Sequence, residues 1–333
     1  MPWDVHYRNG IHLPQIDWWL DAHRPVDRSI VSHAHFDHIA AHREIVCTPQ
    51  TSRLMRMRMP RKRLEHVLPF GQTERLTADC TITLLPAGHI CGSALCLLEH
   101  ERHGSLLYTG DFKLRPSLTA GSCATPHADL LIMESTFGRP AYAFPPTEKI
   151  YEDIRSFCAE TLRDGRAPVL MAYALGKTQE LLAGLTGLEK PVLLHPQCFR
   201  LTRLHESFGL SFPPYAEFSQ DALPGSVVIA PPLAPNAGFF KHILARRTAV
   251  VSGWAVERAT VYRQRCDAAF PLSDHADFTD LLRFVDAVAP HRVLTLHGFS
   301  TDFARTLRER GIEAFALDKP DQLDLGLQAQ PAP

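Results

Sequence analysis

Long hydrophobic runs and paired cysteines are both missing from this sequence. No apolar stretch is long enough to span a bilayer, and the first residues lack the basic and apolar regions of a secretory signal. The eight cysteines include no C-x-x-C pair, so neither a disulfide framework nor a zinc knuckle is expected. We therefore expect a cytoplasmic protein with no membrane contact, whose thiols are reduced and mostly buried.

The chain also lacks the excess of positive charge that is common in nucleic-acid-binding proteins. It has 35 Lys and Arg residues and 36 Asp and Glu residues, which gives a formal net charge of -1. Contact with a polyanion must therefore rely on local charge, and one segment is a candidate for it. The basic residues of this segment are Arg53, Arg56, Arg58, Arg61, Lys62 and Arg63. The segment is either a solvated helix face or a phosphate-binding patch, and the sequence leaves both open.

One stretch, Ser32 to His38, is dense in metal-binding side chains. It carries three histidines and one aspartate in the pattern H-x-H-x-D-H, directly after a short strand-like pair. Neutral imidazole together with carboxylate suits zinc best, with manganese or iron as substitutes. His33 and His35 alternate as strand neighbours do, whereas Asp37 and His38 follow at a turn, so the spacing suggests two adjacent ions. The structural alternative, a histidine-rich surface loop, is disfavoured by this spacing.

The predicted elements change in character near residue 147. Short strands dominate before this point, whereas strands and helices alternate after it, including a helix predicted around Phe239 to Arg246. Such alternation predicts a parallel sheet flanked by helices. After residue 268 we predict a helix from Phe278 to Val288 and a strand from Arg292 to Leu296. We therefore expect a core domain made of residues 1–146 and 269–333, with an insert domain at 147–268.

In its first half the chain resembles the metallo-β-lactamase superfamily. After the H-x-H-x-D-H stretch come P-A-G-H, ending in His89, and Y-T-G-D, ending in Asp111, each behind a strand-like segment. These motifs follow one another in the order of the superfamily. Asp21 stands where the family has a carboxylate that orients metal ligands. The resemblance implies an α/β fold of the metallo-β-lactamase type, an αββα sandwich.

Three later motifs are similar to those of the β-CASP branch, whose members cut DNA or RNA and carry an inserted β-CASP domain. Glu134 in E-S-T-F-G, His275 in S-D-H-A-D and His297 in L-H-G resemble its motifs A, B and C. Two runs of the insert, A-L-G-K-T-Q-E and S-G-W, resemble other parts of the branch. From these runs we take Lys177, Ser252 and Gly253 as substrate-binding candidates.

The resemblance also implies two divalent metal ions, with zinc favoured and manganese or iron as alternatives. The implied ligands are His33, His35 and His89 for one ion and Asp37, His38 and His297 for the other, with Asp111 bridging. Asp37, Glu134 and His275 form the implied catalytic group. In it, His275 protonates the leaving oxygen, and Glu134 orients that histidine.

Within this branch, the runs R-P-V-D-R, Y-A-L-G-K and L-S-D-H-A-D are most like those of bacterial ligase-associated DNA exonucleases, relatives of the Artemis-type nucleases. We therefore expect a DNA exonuclease that acts in repair beside a DNA ligase. His297 keeps an RNA-processing ribonuclease open, because many Artemis-type members lack a histidine at that position. A small-molecule metallo-hydrolase is a weaker alternative, since it needs neither the insert nor Glu134 and His275. A metal-free scaffold subunit is disfavoured because every ligand is kept.

Overall fold

The computed structural model describes residues 2–188, 190–232, 238–257 and 259–318. The chain divides into two compact units, which comprise Met1–Pro116, Ala120–Ala143 and His275–Pro333 for the first and Ser117–Thr119 and Phe144–Asp274 for the second. The predicted insert, 147–268, lies inside the second unit. That unit also includes Ser117–Thr119, because the carboxylate of Glu180 accepts hydrogen bonds from Ser117 Oγ at 2.7 Å and from Thr119 Oγ1 at 3.1 Å.

The first unit contains a six-stranded sheet, in the order β1-β2-β3-β4-β5-β6. Numbered along the chain, its strands are β1 (His6–Tyr7), β2 (Ile11–Leu13), β3 (Trp18–Leu20), β4 (Arg28–Ile30), β5 (Glu44–Cys47) and β6 (Leu64–Val67). Its first two pairings are antiparallel and the other three are parallel. Helix α1 (Pro49–Arg58) joins β5 to β6. It begins at Pro49, because the Thr48 side chain accepts from the backbone N–H of Thr51 and Pro49 occupies the first helical position.

The same unit contains a seven-stranded sheet, in the order β19-β18-β11-β10-β9-β8-β7. Its strands are β7 (Thr73–Arg75), β8 (Cys80–Pro86), β9 (Ala94–His100), β10 (Gly104–Tyr108), β11 (Leu130–Glu134), β18 (Arg292–Leu296) and β19 (Glu313–Ala316). Helix α6 (Phe278–Val288) precedes β18, and helix α7 (Ser300–Glu309) lies between β18 and β19. Strands β9 and β10 form an antiparallel hairpin, and α6 has the predicted bounds.

The two sheets of the first unit share one apolar core. Ile30 of the first sheet belongs to the same buried cluster as Leu84 and Leu106 of the second. On the other face of the second sheet, Met133 packs in a cluster with Phe284 of α6 and residues of α7. Side chains alternate between the two faces along each strand, which is how one sheet supplies both clusters. The layers confirm the predicted metallo-β-lactamase sandwich.

The second unit is a parallel sheet with helices, in the strand order β14-β13-β15-β12-β16-β17. Its strands are β12 (Ala167–Met171), β13 (Val192–Leu194), β14 (Tyr215–Glu217), β15 (Val227–Ala230), β16 (Arg246–Val251) and β17 (Ala268–Phe270). Its helices are α2 (Thr147–Arg163), α3 (Lys177–Gly184), α4 (Pro196–Glu206) and α5 (Thr260–Gln264), with 3₁₀ turns at Gly238–His242 and Gly253–Val256. All pairings in this sheet are parallel, as predicted for the insert.

The helix predicted around Phe239 to Arg246 is wrong. The chain forms only the short turn Gly238–His242 there, and Arg246 already begins β16. Phe240 and Ile243 are buried at a helical spacing of three, which explains the misleading pattern. The strand prevails because β16 pairs with β12 over five residues, so the backbone groups are satisfied in the sheet.

All eight cysteines are free, and six of them are buried, as expected for reduced thiols. Burial raises the pKa of the Cys47 thiol to about 12, which keeps it protonated near neutral pH. Among the helices of the described ranges, none is both long and apolar enough to cross a membrane.

Candidate metal centre

The ligand-bearing loops of the first unit all follow strands. The H-x-H-x-D-H stretch comes directly after β4, His89 after β8, Asp111 after β10 and His297 after β18, while Glu134 ends β11. Loops at strand ends let side chains from distant parts of the sequence converge, because the sheets hold the loop ends rigidly. The predicted motifs therefore meet within one unit.

Three histidines and one aspartate form a compact group. His35 Nδ1 lies 3.1 Å from His33 Nε2 and 3.1 Å from His89 Nε2. Asp111 Oδ2 lies 3.5 Å from His33 Nε2 and 3.7 Å from His89 Nε2. The ligand atoms of these four side chains all lie within 4.8 Å of one another. Three imidazole nitrogens and a carboxylate oxygen at this spacing fit one zinc-like ion.

The approach of Asp111 to the histidine loop depends on Gly110. A Cβ atom at this position would lie 2.3 Å from the Ser32 hydroxyl oxygen, and the backbone has a φ of +51°. Glycine tolerates both the close approach and the left-handed conformation. The glycine of the Y-T-G-D motif is therefore required by packing at the centre.

Asp21 lies beneath the centre as an acceptor for several donors. Its carboxylate accepts hydrogen bonds from Ser32 N at 2.7 Å, from Tyr108 Oη at 2.8 Å and from His38 Nδ1 at 2.8 Å. The bond to Nδ1 fixes the His38 ring so that Nε2 faces Asp111, at 3.4 Å from its Oδ2. This is the arrangement expected of a carboxylate that orients a metal ligand. Sequence reasoning missed Tyr108, although it stands in the same motif as Asp111.

The second predicted ligand set converges less tightly. His38 Nε2 lies 3.8 Å from Asp37 Oδ2, and the rings of His38 and His297 have centroids 5.8 Å apart. The Asp37 side chain is 80% exposed, so it can still rotate toward its neighbours. Asp111 faces both sets through His33 and His38. A second ion held by Asp37, His38 and His297 therefore stays a prediction.

The electrostatics of the centre suit a cation. Burial lowers the pKa of His33 well below its usual value, which favours the neutral ring that binds metals. Burial opposes the ionised form of Asp111, but the neighbouring imidazoles, His38 foremost, hold its pKa well below its usual range. Against the effect of burial, Asp111 and Asp21 raise the pKa of His38 well above its usual value. A bound cation would take the place of this proton between the carboxylates.

Glu134 and His275 form a pair beside this cluster. Glu134 Oε1 lies 2.9 Å from His275 Nδ1 and accepts the backbone N–H of Phe112 at 2.9 Å. The glutamate is only 1% exposed, whereas the His275 side chain is 21% exposed. Ligand atoms of Glu134, His275 and Asp111 lie within 4.8 Å of one another. A partly exposed imidazole is thus held by a buried carboxylate next to the centre.

The three substrate-binding candidates lie in the second unit. Lys177 is 2% exposed, and its ammonium donates to Asp274 Oδ1 at 2.7 Å and to the carbonyl of Leu272 at 2.9 Å. Ser252 Oγ accepts from the backbone N–H of Trp254 and caps the turn that begins at Gly253. These contacts stabilise the fold of the second unit. That the three residues bind substrate stays a prediction.

Comparisons with known proteins identify similar chains. The family RMMBL, described as a Zn-dependent metallo-hydrolase RNA specificity domain, matches residues 265–317. A protein of Opitutus terrae named "Probable DNA ligase" is 60% identical over 99% of this chain and 32% of its own length. The "5' exonuclease Apollo" of Danio rerio is 27% identical over 87% of this chain and 52% of its own length. The "Probable RNase MJ4" of Methanocaldococcus jannaschii is 28% identical over 54% of this chain and 50% of its own length.

This chain therefore spans only about a third to a half of the length of these three relatives. The RMMBL match begins in the second unit and includes both His275 and His297.

Proposed function

Because the chain belongs to the β-CASP nuclease branch of the metallo-β-lactamase superfamily, we propose that it is a DNA exonuclease that uses two divalent metal ions. The observation that carries this proposal is the Glu134–His275 pair beside the ligand cluster. A hydrolase that acts on small activated substrates has no need of such a proton donor. Cleavage of a phosphodiester requires one, because the leaving sugar oxygen is a poor leaving group until it is protonated.

The proposed roles follow from the contacts of the side chains. When bound, divalent ions at the two ligand sets supply the Lewis acidity that activates a water and offsets charge on the phosphoryl oxygens. With Nδ1 of His275 directed at Glu134, the proton donated to the leaving oxygen comes from Nε2. The Glu134 carboxylate favours the charged imidazole and fixes its orientation. Asp21 fixes the orientation of the His38 ring through its hydrogen bond to Nδ1.

The names of two relatives support the proposal of a DNA exonuclease. The Opitutus terrae protein, similar over nearly the whole chain, is named for DNA ligation, and the Danio rerio protein is named a 5' exonuclease. RNA is the second candidate, since the matching family is described by RNA specificity and another relative is named an RNase. Hydrolysis of a small molecule is a weaker third candidate.

A DNA ligase is the proposed functional partner. The support is the 60% identity of this chain to a third of a protein named as a probable DNA ligase. A nuclease that trims ends would prepare the 5'-phosphate and 3'-hydroxyl termini that a ligase joins.

The test is cleavage of matched substrates by the metal-loaded protein. We expect end-labelled single-stranded DNA to be shortened faster than RNA of the same sequence, and circular single-stranded DNA to resist cleavage. Equal or faster cleavage of RNA would favour the RNA-processing candidate. Efficient cleavage of the circle would replace an exonuclease with an endonuclease, and turnover of neither polymer would refute the nuclease proposal.

A further inference from the structure

The six basic residues of α1 and the loop after it differ in how their charges are engaged. Arg56 Nη2 lies 2.7 Å from Glu65 Oε2, and Arg63 Nε lies 3.0 Å from Glu65 Oε1. These two guanidinium groups therefore share one carboxylate of β6, which offsets one of their two positive charges. Arg58 is different, since its guanidinium carbon lies 4.0 Å from the centroid of the Phe36 ring.

The guanidinium of Arg58 is stacked but has no acceptor. Within the described ranges of the chain, neither a hydrogen bond nor an ion pair engages it, and its Nε atom is buried without a partner. A guanidinium carries five N–H donors in a planar fork that matches phosphate oxygens. The terminal nitrogens of Arg58, unlike those of Arg63, are not among the buried atoms that lack a partner, so they are accessible to an anion from solvent.

The position of Arg58 places this fork beside the metal centre. Phe36 stands between the predicted ligands His35 and Asp37, and its ring is 58% exposed. Burial lowers the pKa of Arg58, whereas the charge of Asp37 opposes this shift, so the two side chains are close enough to interact. Arg58 is also the last residue of α1, where the negative end of the helix dipole favours a cation.

We propose that Arg58, held over the ring of Phe36, binds a phosphate of the substrate strand next to the scissile bond. The proposal rests on the proposed nuclease function and names a residue that no ligand motif contains. Stacking on an aromatic ring restricts the guanidinium and leaves its donors directed along the plane of the fork. Arg61 and Lys62 are both exposed in the following loop and add positive charge next to α1.

The competing interpretation is that Arg58 merely covers the apolar ring of Phe36. The two interpretations differ in what a substitution does to nucleic-acid binding. A phosphate contact contributes to the salt dependence of binding, whereas a packing contact does not. Arg56 provides the matched control, because it lies on the same helix and carries the same charge but is paired with Glu65.

The experiment compares Arg58→Gln, Arg58→Lys and Arg56→Gln in the full chain, with metal content and thermal stability measured in each. For Arg58→Gln we expect KM for single-stranded DNA to rise by roughly tenfold to a hundredfold while kcat changes little, the scale of a hydrogen bond to a charged group. Arg58→Lys should recover part of the loss, since an ammonium keeps the charge without the fork. Arg56→Gln should stay within about twofold of the unchanged protein.

Binding is measured separately by fluorescence anisotropy with a nuclease-resistant phosphorothioate oligonucleotide at several salt concentrations. Loss of one phosphate contact on a single strand should make the slope of log K against log salt shallower by about 0.7. If the protein cleaves DNA but Arg58→Gln changes neither KM nor the slope, the inference is overturned and the nuclease proposal stands. If Arg58-dependent binding occurs without cleavage, the phosphate contact stands and the nuclease proposal is lost. Absence of binding by the unchanged protein would refute both.

Discussion

Replacing His275 with alanine should slow DNA cleavage by roughly two to four orders of magnitude, the usual scale for loss of a general acid. In the variant the leaving sugar oxygen would depart as an alkoxide or wait for a proton from solvent. His275 is not one of the four side chains of the group His33, His35, His89 and Asp111. Metal content and oligonucleotide affinity should therefore be retained.

Replacing Glu134, which holds the ring of His275, should reduce the rate of DNA cleavage by a smaller factor. The bond between its carboxylate and His275 Nδ1 is 2.9 Å long, and the carboxylate is almost completely buried. A charge-assisted hydrogen bond contributes about 1 kcal/mol more than a neutral one, which corresponds to roughly a fivefold change in rate. Glu134→Gln keeps the size of the side chain but removes its charge, so it should slow cleavage by about fivefold to tenfold. His275→Ala should therefore cleave DNA much more slowly than Glu134→Gln.

The decisive assay compares two substrates that differ in their leaving group. A nitrophenolate departs without help from a proton, so His275→Ala should hydrolyse a bis-nitrophenyl phosphate at close to the rate of the unchanged protein while DNA cleavage collapses. His291→Ala is the matched control, because that histidine lies in the same unit with its side chain 86% exposed. An equal loss on both substrates, accompanied by lower metal content, would refute the acid role and make His275 a metal ligand.

Three further predictions concern the centre and its support. Asp111→Asn should release metal and abolish most activity, because it removes the carboxylate that faces both ligand sets; two tightly held ions in that variant, measured by elemental analysis, would exclude the bridging role. Tyr108→Phe should weaken metal affinity by about tenfold without unfolding the protein, since it removes one donor to Asp21, and a competition titration with a chelator measures this. Burial lowers the pKa of His42 to about 4. The unfolded chain therefore binds a proton below pH 6.5 that the folded chain does not, and the free energy of unfolding should be about 2 kcal/mol lower at pH 5 than at pH 7.5 because of this group. Urea titrations of the unchanged protein and His42→Gln at both pH values test this, and an identical pH dependence in the two would contradict it.

Elements with a strong local pattern were predictable from the sequence. Helix Phe278–Val288 and strand Arg292–Leu296 have the predicted bounds, because their apolar periodicity coincides with real burial. The helix also has a local start signal, since the side chain of Asp277 accepts from the backbone N–H of Asp280. Short edge strands gave no such signal. Every residue of Thr73–Arg75 is exposed, and this strand exists only because it pairs with β8.

In the candidate site, residue types were predictable and their contacts only partly so. The seven residues of the histidine loop are enough to predict metal binding. The hydrogen bond between Tyr108 and Asp21, however, joins positions 87 residues apart. Lys177 illustrates the same limit, because a lysine at a helix start looks solvated until Asp274, 97 residues later, is seen to pair with it. Long-range polar contacts of this kind leave no periodicity in the sequence.

The near-neutral charge of the chain is compatible with a polyanionic substrate, because some basic residues are paired with carboxylates and others are not. Counted in the sequence, the segment from Arg53 to Arg63 looks uniformly basic. In the structure Glu65 pairs with both Arg56 and Arg63, whereas within the described ranges no carboxylate pairs with Arg58, which lies over Phe36 of the histidine loop. A divalent ion at the ligand cluster adds positive charge that no residue count includes. Attraction for a phosphate backbone is therefore concentrated at the site of the proposed reaction. To bind the end of a nucleic acid, such a chain needs a few positive charges close to the reacting phosphate rather than a high total charge.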